Sequence, residues 1–300
     1  MPGAVRSSGG IAYVFLATIG WSLSGVFVRL MPGLDGWQIN CWRGLWMSIA
    51  LLVYLFIMHR HKALERFDEI PFSVVMISAL AFAVGTTLYV SSLTLVSTAT
   101  VSVIGATSPL ITGLLSPWIT REKPHLVSWV SAALALVGMY VIAKAGIQAG
   151  SALGLLLSFG VPITFALQTL LLRKYRDLDM MMSICVGGIF SFMFAGLASV
   201  FFGHTSAFDV SLHDFYLLML MGPLQLALPL IFYGWGAKSI PAITLALVSM
   251  LDAVFNPLWS WLVVGERPEN AALIGGAIIL GAVTVSILGG QYLMLQSKYE

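Results

Sequence analysis

Ten stretches of about 20 mostly apolar residues follow one another along this 300-residue chain, separated by short polar connections. No other feature constrains the fold as much. About 20 apolar residues is the length an α-helix needs to cross about 30 Å of hydrocarbon. In hydrocarbon every backbone N–H and C=O must find a partner without water, so only helices or closed barrels span a bilayer. The runs are continuous rather than alternating, which argues against transmembrane strands. The expected fold is all-α and integral to a membrane, with ten transmembrane helices.

The expected spans are Ile11–Leu30, Trp37–Met58, Ile70–Val90, Ser97–Thr120, Leu126–Lys144, Ala152–Arg173, Met180–Phe202, Leu212–Trp235, Ala242–Val264 and Ala271–Gly290. Composition agrees: apolar residues make up 59% and charged residues 9%, too few charges to cover a soluble protein of this size. A net charge of +2 from scattered basic residues excludes nucleic-acid binding, and two cysteines make no disulfide framework. The first span carries no A-x-A cleavage site and is expected to stay as an uncleaved signal anchor.

Loop charge sets the orientation, because cytoplasmic loops keep Lys and Arg. With the N-terminus inside, eleven basic residues fall on the inner side and three on the outer side, with Arg43 inside a span. Both termini are thus expected inside, which requires an even number of spans.

The two halves match at one fixed offset of 144 residues. It carries Arg29, Asp35, Cys41, Gly44, Tyr89, Glu122 and Pro124 onto Arg173, Asp179, Cys185, Gly188, Tyr233, Glu266 and Pro268. Duplication explains the mated cysteines better than an inter-helical disulfide. The expected units are residues 1–146 and 147–300. Each holds five spans, an odd number, so the second must be inverted. Inverted repeats around a midplane site are a common plan of secondary transporters, and they also occur in channels.

Two segments carry a family resemblance. One runs from Ser108-Pro109-Leu110 to Thr120-Arg121-Glu122-Lys123-Pro124, the other from Asp252 to Val264-Gly265-Glu266-Arg267-Pro268. With the early GWSLSGVFVRL and the Arg of Cys41-Trp42-Arg43-Gly44, they resemble the EamA family of the drug/metabolite transporter superfamily. Arg121 departs from the family's Gly, and Ala253 stands where Pro often follows the acid. The resemblance covers nearly the whole chain. It implies a proton- or gradient-coupled carrier, often an exporter, of amino acids or other small metabolites. It also implies a substrate cavity between helices one, three, four, six, eight and nine, with five and ten peripheral.

Ionisable side chains at membrane depth are costly and therefore candidate sites. Asp252 is the deepest, either as a coupling carboxylate and ammonium partner or as a hydrogen-bonded carboxyl that pins span nine. Its repeat mate is Ser108, so the charge is asymmetric. Arg43 lies about 8 Å deep at 1.5 Å per residue. It can fork onto a carboxylate or snorkel to the outer interface. Glu122 and Glu266 are expected to cap helices five and ten and offset their dipoles. The amides Gln168, Gln225 and Asn256 should face the interior. Trp21, Tyr89 and Tyr233 offer stacking or cation–π surfaces, or simply pack. Trp37 and Trp118 are expected in interfacial belts. Pro109, Pro162, Pro223, Pro229 and Pro257 should interrupt spans four, six, eight and nine, with Pro109, Pro162, Pro229 and Pro257 as hinges.

No P-loop, H-E-x-x-H or C-x-x-C occurs, and the five histidines lie in loops or at span ends without metal-ligand spacing. The expected protein is no enzyme and needs no cofactor or metal. Its partners are the bilayer and a small-molecule substrate, and a monomer suffices. Its function is secondary transport, most simply export, of amino acids across a plasma membrane such as a bacterial inner membrane. An organic-cation exporter is the alternative carrier, and a channel or membrane scaffold the alternative of another class. Sugar phosphates would need clustered basic residues at depth, where only Arg43 stands.

Overall fold

A computed structural model describes residues 2–59, 70–96, 98–144, 152–202, 206–265 and 270–296. Its described residues form helices and connections, without strands. Ten helical segments are long and apolar enough to cross a membrane. They are, in order, Gly9–Leu30, Gly36–His59, Phe72–Ser92, Thr100–Ile119, Leu126–Ala143, Ala152–Lys174, Met181–Phe202, Leu212–Ala237, Ala242–Val263 and Asn270–Gly289. They are called spans one to ten below.

Large apolar side chains such as Ile57, Val200, Phe201 and Leu262 point outward, as a hydrocarbon surrounding allows. The packed interior is rich in small residues, among them Ala17, Ala132 and Ala135. Between membrane helices there is little hydrophobic driving force, so close backbone approach supplies the contact. Spans two and seven meet at the mated glycines Gly44 and Gly188, where a Cβ on Gly188 would sit 2.8 Å from the Gly44 carbonyl oxygen. Trp118 is exposed, as expected of a belt residue, but Trp37 is buried against the Phe202 ring instead.

The helix contacts obey the duplication. Span five packs on its mate ten, and span two on its mate seven. Span three packs on six while span one packs on eight, and these two contacts are mates of each other. Such pairing is what an approximate two-fold axis between inverted halves generates. The cysteines report the same symmetry. Both are free and buried. The Cys41 thiol donates to the Phe192 carbonyl at 3.5 Å, and the Cys185 thiol to the Ser48 carbonyl at 3.4 Å. The offset of 144 carries one contact onto the other.

Spans four and nine break at mated positions. Span four consists of the helices Thr98–Gly105 and Ser108–Ile119, and span nine of Ala242–Ser249 and Asp252–Val264. Pro109 stands in the first turn of its half-helix, where its missing N–H costs nothing. Span one breaks at Leu23 without a proline. Span eight relaxes into a π-helical turn at Gly222–Ala227, with Pro223 inside it and Pro229 two residues after it. Pro162 does not interrupt span six, because Ala152–Lys174 runs through it as one helix. Pro257 lies within the helix Asp252–Val264, five positions past Asp252, and not at the break. Its side chain, like Glu266 as a whole, lies outside the described residues.

Candidate functional site

The break in span nine makes Asp252 the first residue of a 13-residue half-helix. A helix N-terminus favours negative charge, and this one lies within the protein. Asp252 Oδ1 is buried with no hydrogen-bond partner. One turn on, Asn256 Nδ2 donates to Ser24 Oγ at 3.4 Å, and two turns on, Trp259 Nε1 donates to Ser22 Oγ at 2.8 Å. Both serines flank the break in span one, so the two interrupted spans are tied together there.

Arg43 does not snorkel. Its Nη2 donates to Asn40 Oδ1 at 3.0 Å, one turn earlier on span two, and its Nε is buried without a partner. The Tyr89 phenol lies within electrostatic range of both Arg43 and Asp252. Tyr89 is 38% exposed. Its repeat mate Tyr233 is 2% exposed and hydrogen-bonds Thr169 at 3.0 Å. Spans two and nine thus set a guanidinium and a carboxylate within electrostatic range of a phenol on span three. Among the described residues no ion pair joins Arg43 to Asp252.

A second cluster lies beside it. The Trp21 ring centroid is 5.0 Å from that of Tyr233 and 6.4 Å from that of Phe165, and Phe165 and Tyr233 are 6.1 Å apart. Gln225, within the π-helical turn, donates from Nε2 to the Trp21 carbonyl at 3.4 Å and leaves Oε1 buried and unpartnered. A π-turn often marks a functional position, because it re-aims side chains along a helix. Gln168 stands apart from both clusters. It accepts a 3.1 Å hydrogen bond from Ser78, which contacts Ser183 in turn, and so ties spans three, six and seven. All three amides avoid the outer surface: Gln168 and Gln225 are buried and Asn256 is half-buried.

The sequence reading passed over Asn40, Ser22, Ser78 and Thr169. Asn40 could have been found from its i, i+3 spacing to Arg43 on a helix. The serines could not, since their partners lie on distant spans.

Glu122 was expected to cap span five. Its carboxylate instead sits at the start of span nine and accepts from the Ala242 N–H at 3.1 Å. It also pairs with Arg173 Nε at 2.6 Å. At the same end of the bundle His59 contacts Asp179 at 2.7 Å.

A ten-span bundle of two repeats with polar groups gathered at its interrupted helices defines a membrane carrier. The chain belongs to the EamA-like transporter family of the drug/metabolite transporter superfamily, whose model matches residues 8–144 and 152–288. It is 24% identical to the uncharacterized transporter YdfC of Bacillus subtilis, over 88% of this chain and 87% of that one. An uncharacterized transporter of Synechocystis is 24% identical over 80% of this chain and 73% of its own. A protein of known crystal structure superposes with a TM-score of 0.80, covering 95% of this chain and 99% of its own, at 17% identity. That last likeness is one of fold. The protein is therefore a multi-pass membrane transporter.

Proposed function

We propose that this transporter is a secondary carrier, most simply an exporter, of small zwitterionic metabolites, with amino acids as the best-fitting class. It works by alternating access across a plasma membrane, with both termini cytoplasmic. The observation that carries this is the unpaired acid and base around Tyr89. Arg43 Nε and Asp252 Oδ1 are both buried and lack partners, and no ion pair between them satisfies either. Groups left in that state are costly unless a ligand supplies the missing charges. An amino acid supplies both: its carboxylate suits the Arg43 fork, and its ammonium suits Asp252. The Trp21, Phe165 and Tyr233 rings then offer an apolar surface for a side chain. Asp252 doubles as the coupling carboxylate, since a proton and an ammonium compete for it. Pro109 and Pro229, at the flexible points of spans four and eight, serve as hinges, and one chain suffices for transport.

The same rings favour a second reading, an organic-cation exporter. There Asp252 and the aromatic wall hold the cargo and Arg43 takes no part.

The melting temperature of the purified protein in detergent separates the two. A ligand that binds only the folded state stabilises it by about 2.7 kcal/mol at a hundredfold excess over Kd. Neutral amino acids are expected to raise the melting temperature. Arg43→Gln should abolish that shift and Asp252→Asn should abolish it too. A shift with quaternary amines alone, unchanged in Arg43→Gln, replaces the zwitterion reading with the cation one. No shift with either class overturns both.

A further inference from the structure

The Glu122 carboxylate belongs to the first repeat, and everything it binds belongs to the second. Oε1 takes the Arg173 Nε–H of span six at 2.6 Å, and Oε2 takes the Ala242 N–H of span nine at 3.1 Å. Arg173 Nη1 donates onward to the Ala237 carbonyl, the last residue of span eight, at 2.8 Å. The ends of spans four, six, eight and nine are thereby drawn together by one carboxylate and one guanidinium, whose side chains are only 25% and 10% exposed.

The local backbone is shaped for this contact. Arg121 ends span four with φ 60°, a left-handed conformation that a side chain rarely adopts. Its mate Gly265 ends span nine in the same way, at φ 80°. The reversal turns the chain back, and Ser116 Oγ holds it by donating to the Glu122 carbonyl at 3.1 Å. The duplication wrote the pair twice in sequence, since the offset carries Glu122 and Arg173 onto Glu266 and Arg29.

We infer that Glu122 and Arg173 form a latch that holds the two repeats together at this end of the bundle and must break each time that end opens. The pair also positions the cargo site. Ala242 starts the half of span nine that leads to Asp252, and Arg173 lies one turn past Thr169, whose hydroxyl holds Tyr233. Releasing the latch frees one end of the span that carries Asp252 and the last turns of span six, where Thr169 holds Tyr233. This rests on the family assignment and not on the identity of the cargo.

The test reads accessibility and needs no substrate. Thr169→Cys places a small thiol reporter one turn behind the latch. A membrane-impermeant cationic methanethiosulfonate is added to one face or the other of vesicles carrying the full chain. With the latch intact the reporter should react slowly from the Glu122 face. Adding Glu122→Gln should speed the reaction at least tenfold from that face alone, and Arg173→Lys, which keeps the charge, should give a smaller increase. The double exchange Glu122→Arg with Arg173→Glu restores the ion pair but not the bonds to the Ala242 N–H and the Ala237 carbonyl, so it should slow labelling only part of the way back. Unchanged rates in both single variants overturn the latch. Equal acceleration from both faces also overturns it, because that is loosening of the whole bundle. A neutral amino acid that fails to shift the melting temperature of the parent chain bears only on the cargo proposal.

Discussion

Asp252 and Ser108 occupy mated positions at the starts of mated half-helices, and only one of them carries a charge. The duplication built two equivalent helix starts, and the substitution of one residue made the site asymmetric. Arg43 is asymmetric as well, since its mate is Gly187. Its aim depends on Asn40. Asn40→Ala should leave the guanidinium free to turn away. The Kd for a neutral amino acid should then rise about tenfold, worth about 1.4 kcal/mol. A quaternary amine should bind as before, and titration calorimetry in detergent reads both. Packing residues behave differently. In Gly188→Ala the new methyl group meets Ser48, Met47 and the Gly44 carbonyl. Overpacking of this kind costs about 1–3 kcal/mol, so the melting temperature should fall without any change in ligand selectivity. At this scale the sequence identified the costly residues by type and depth. It could not relate them to one another, because Tyr89, Arg43 and Asp252 are far apart along the chain and only the fold sets the guanidinium and the carboxylate within electrostatic range of the phenol.

Breaks in the helices follow different causes. Prolines predicted interruptions in spans four, six, eight and nine. Span six ignores Pro162, while span one breaks at Leu23 with no proline near it. Proline removes one hydrogen bond, and neighbouring helices can compensate for that loss in a membrane. A break is therefore decided by packing: span one opens where Ser22 and Ser24 turn to Trp259 and Asn256. The end of span four shows the reverse case, a conformation imposed against residue preference. A left-handed residue with a side chain costs about 1–2 kcal/mol. Arg121→Gly should therefore melt at or above the parent temperature, and Arg121→Val well below it. The comparison of the two variants isolates the backbone contribution. The mated position Gly265 shows the residue that this left-handed turn favours, and at Arg121 the same turn delivers Glu122 to its partners.

For the whole molecule the duplication governs the architecture. Every major contact between spans has a mate at the same offset, down to the thiol of each cysteine and its carbonyl acceptor. The two thiols lie in separate contacts, so they should resist maleimide in the native protein. Both should react after denaturation, and the electrophoretic mobility should not change on reduction. By itself the sequence determined the ten membrane segments and the repeat, with inversion following from an odd number of spans in each half. Those properties depend on hydrophobic length and on residue identity at fixed spacing, which are local or periodic along the chain. Tertiary structure alone decided which polar groups on different spans meet: Gln168 with Ser78, and Glu122 with Arg173 and the start of span nine rather than the start of span five. In hydrocarbon a polar side chain takes the nearest partner that packing brings within reach, and that partner is set by helix crossing geometry rather than by position in sequence.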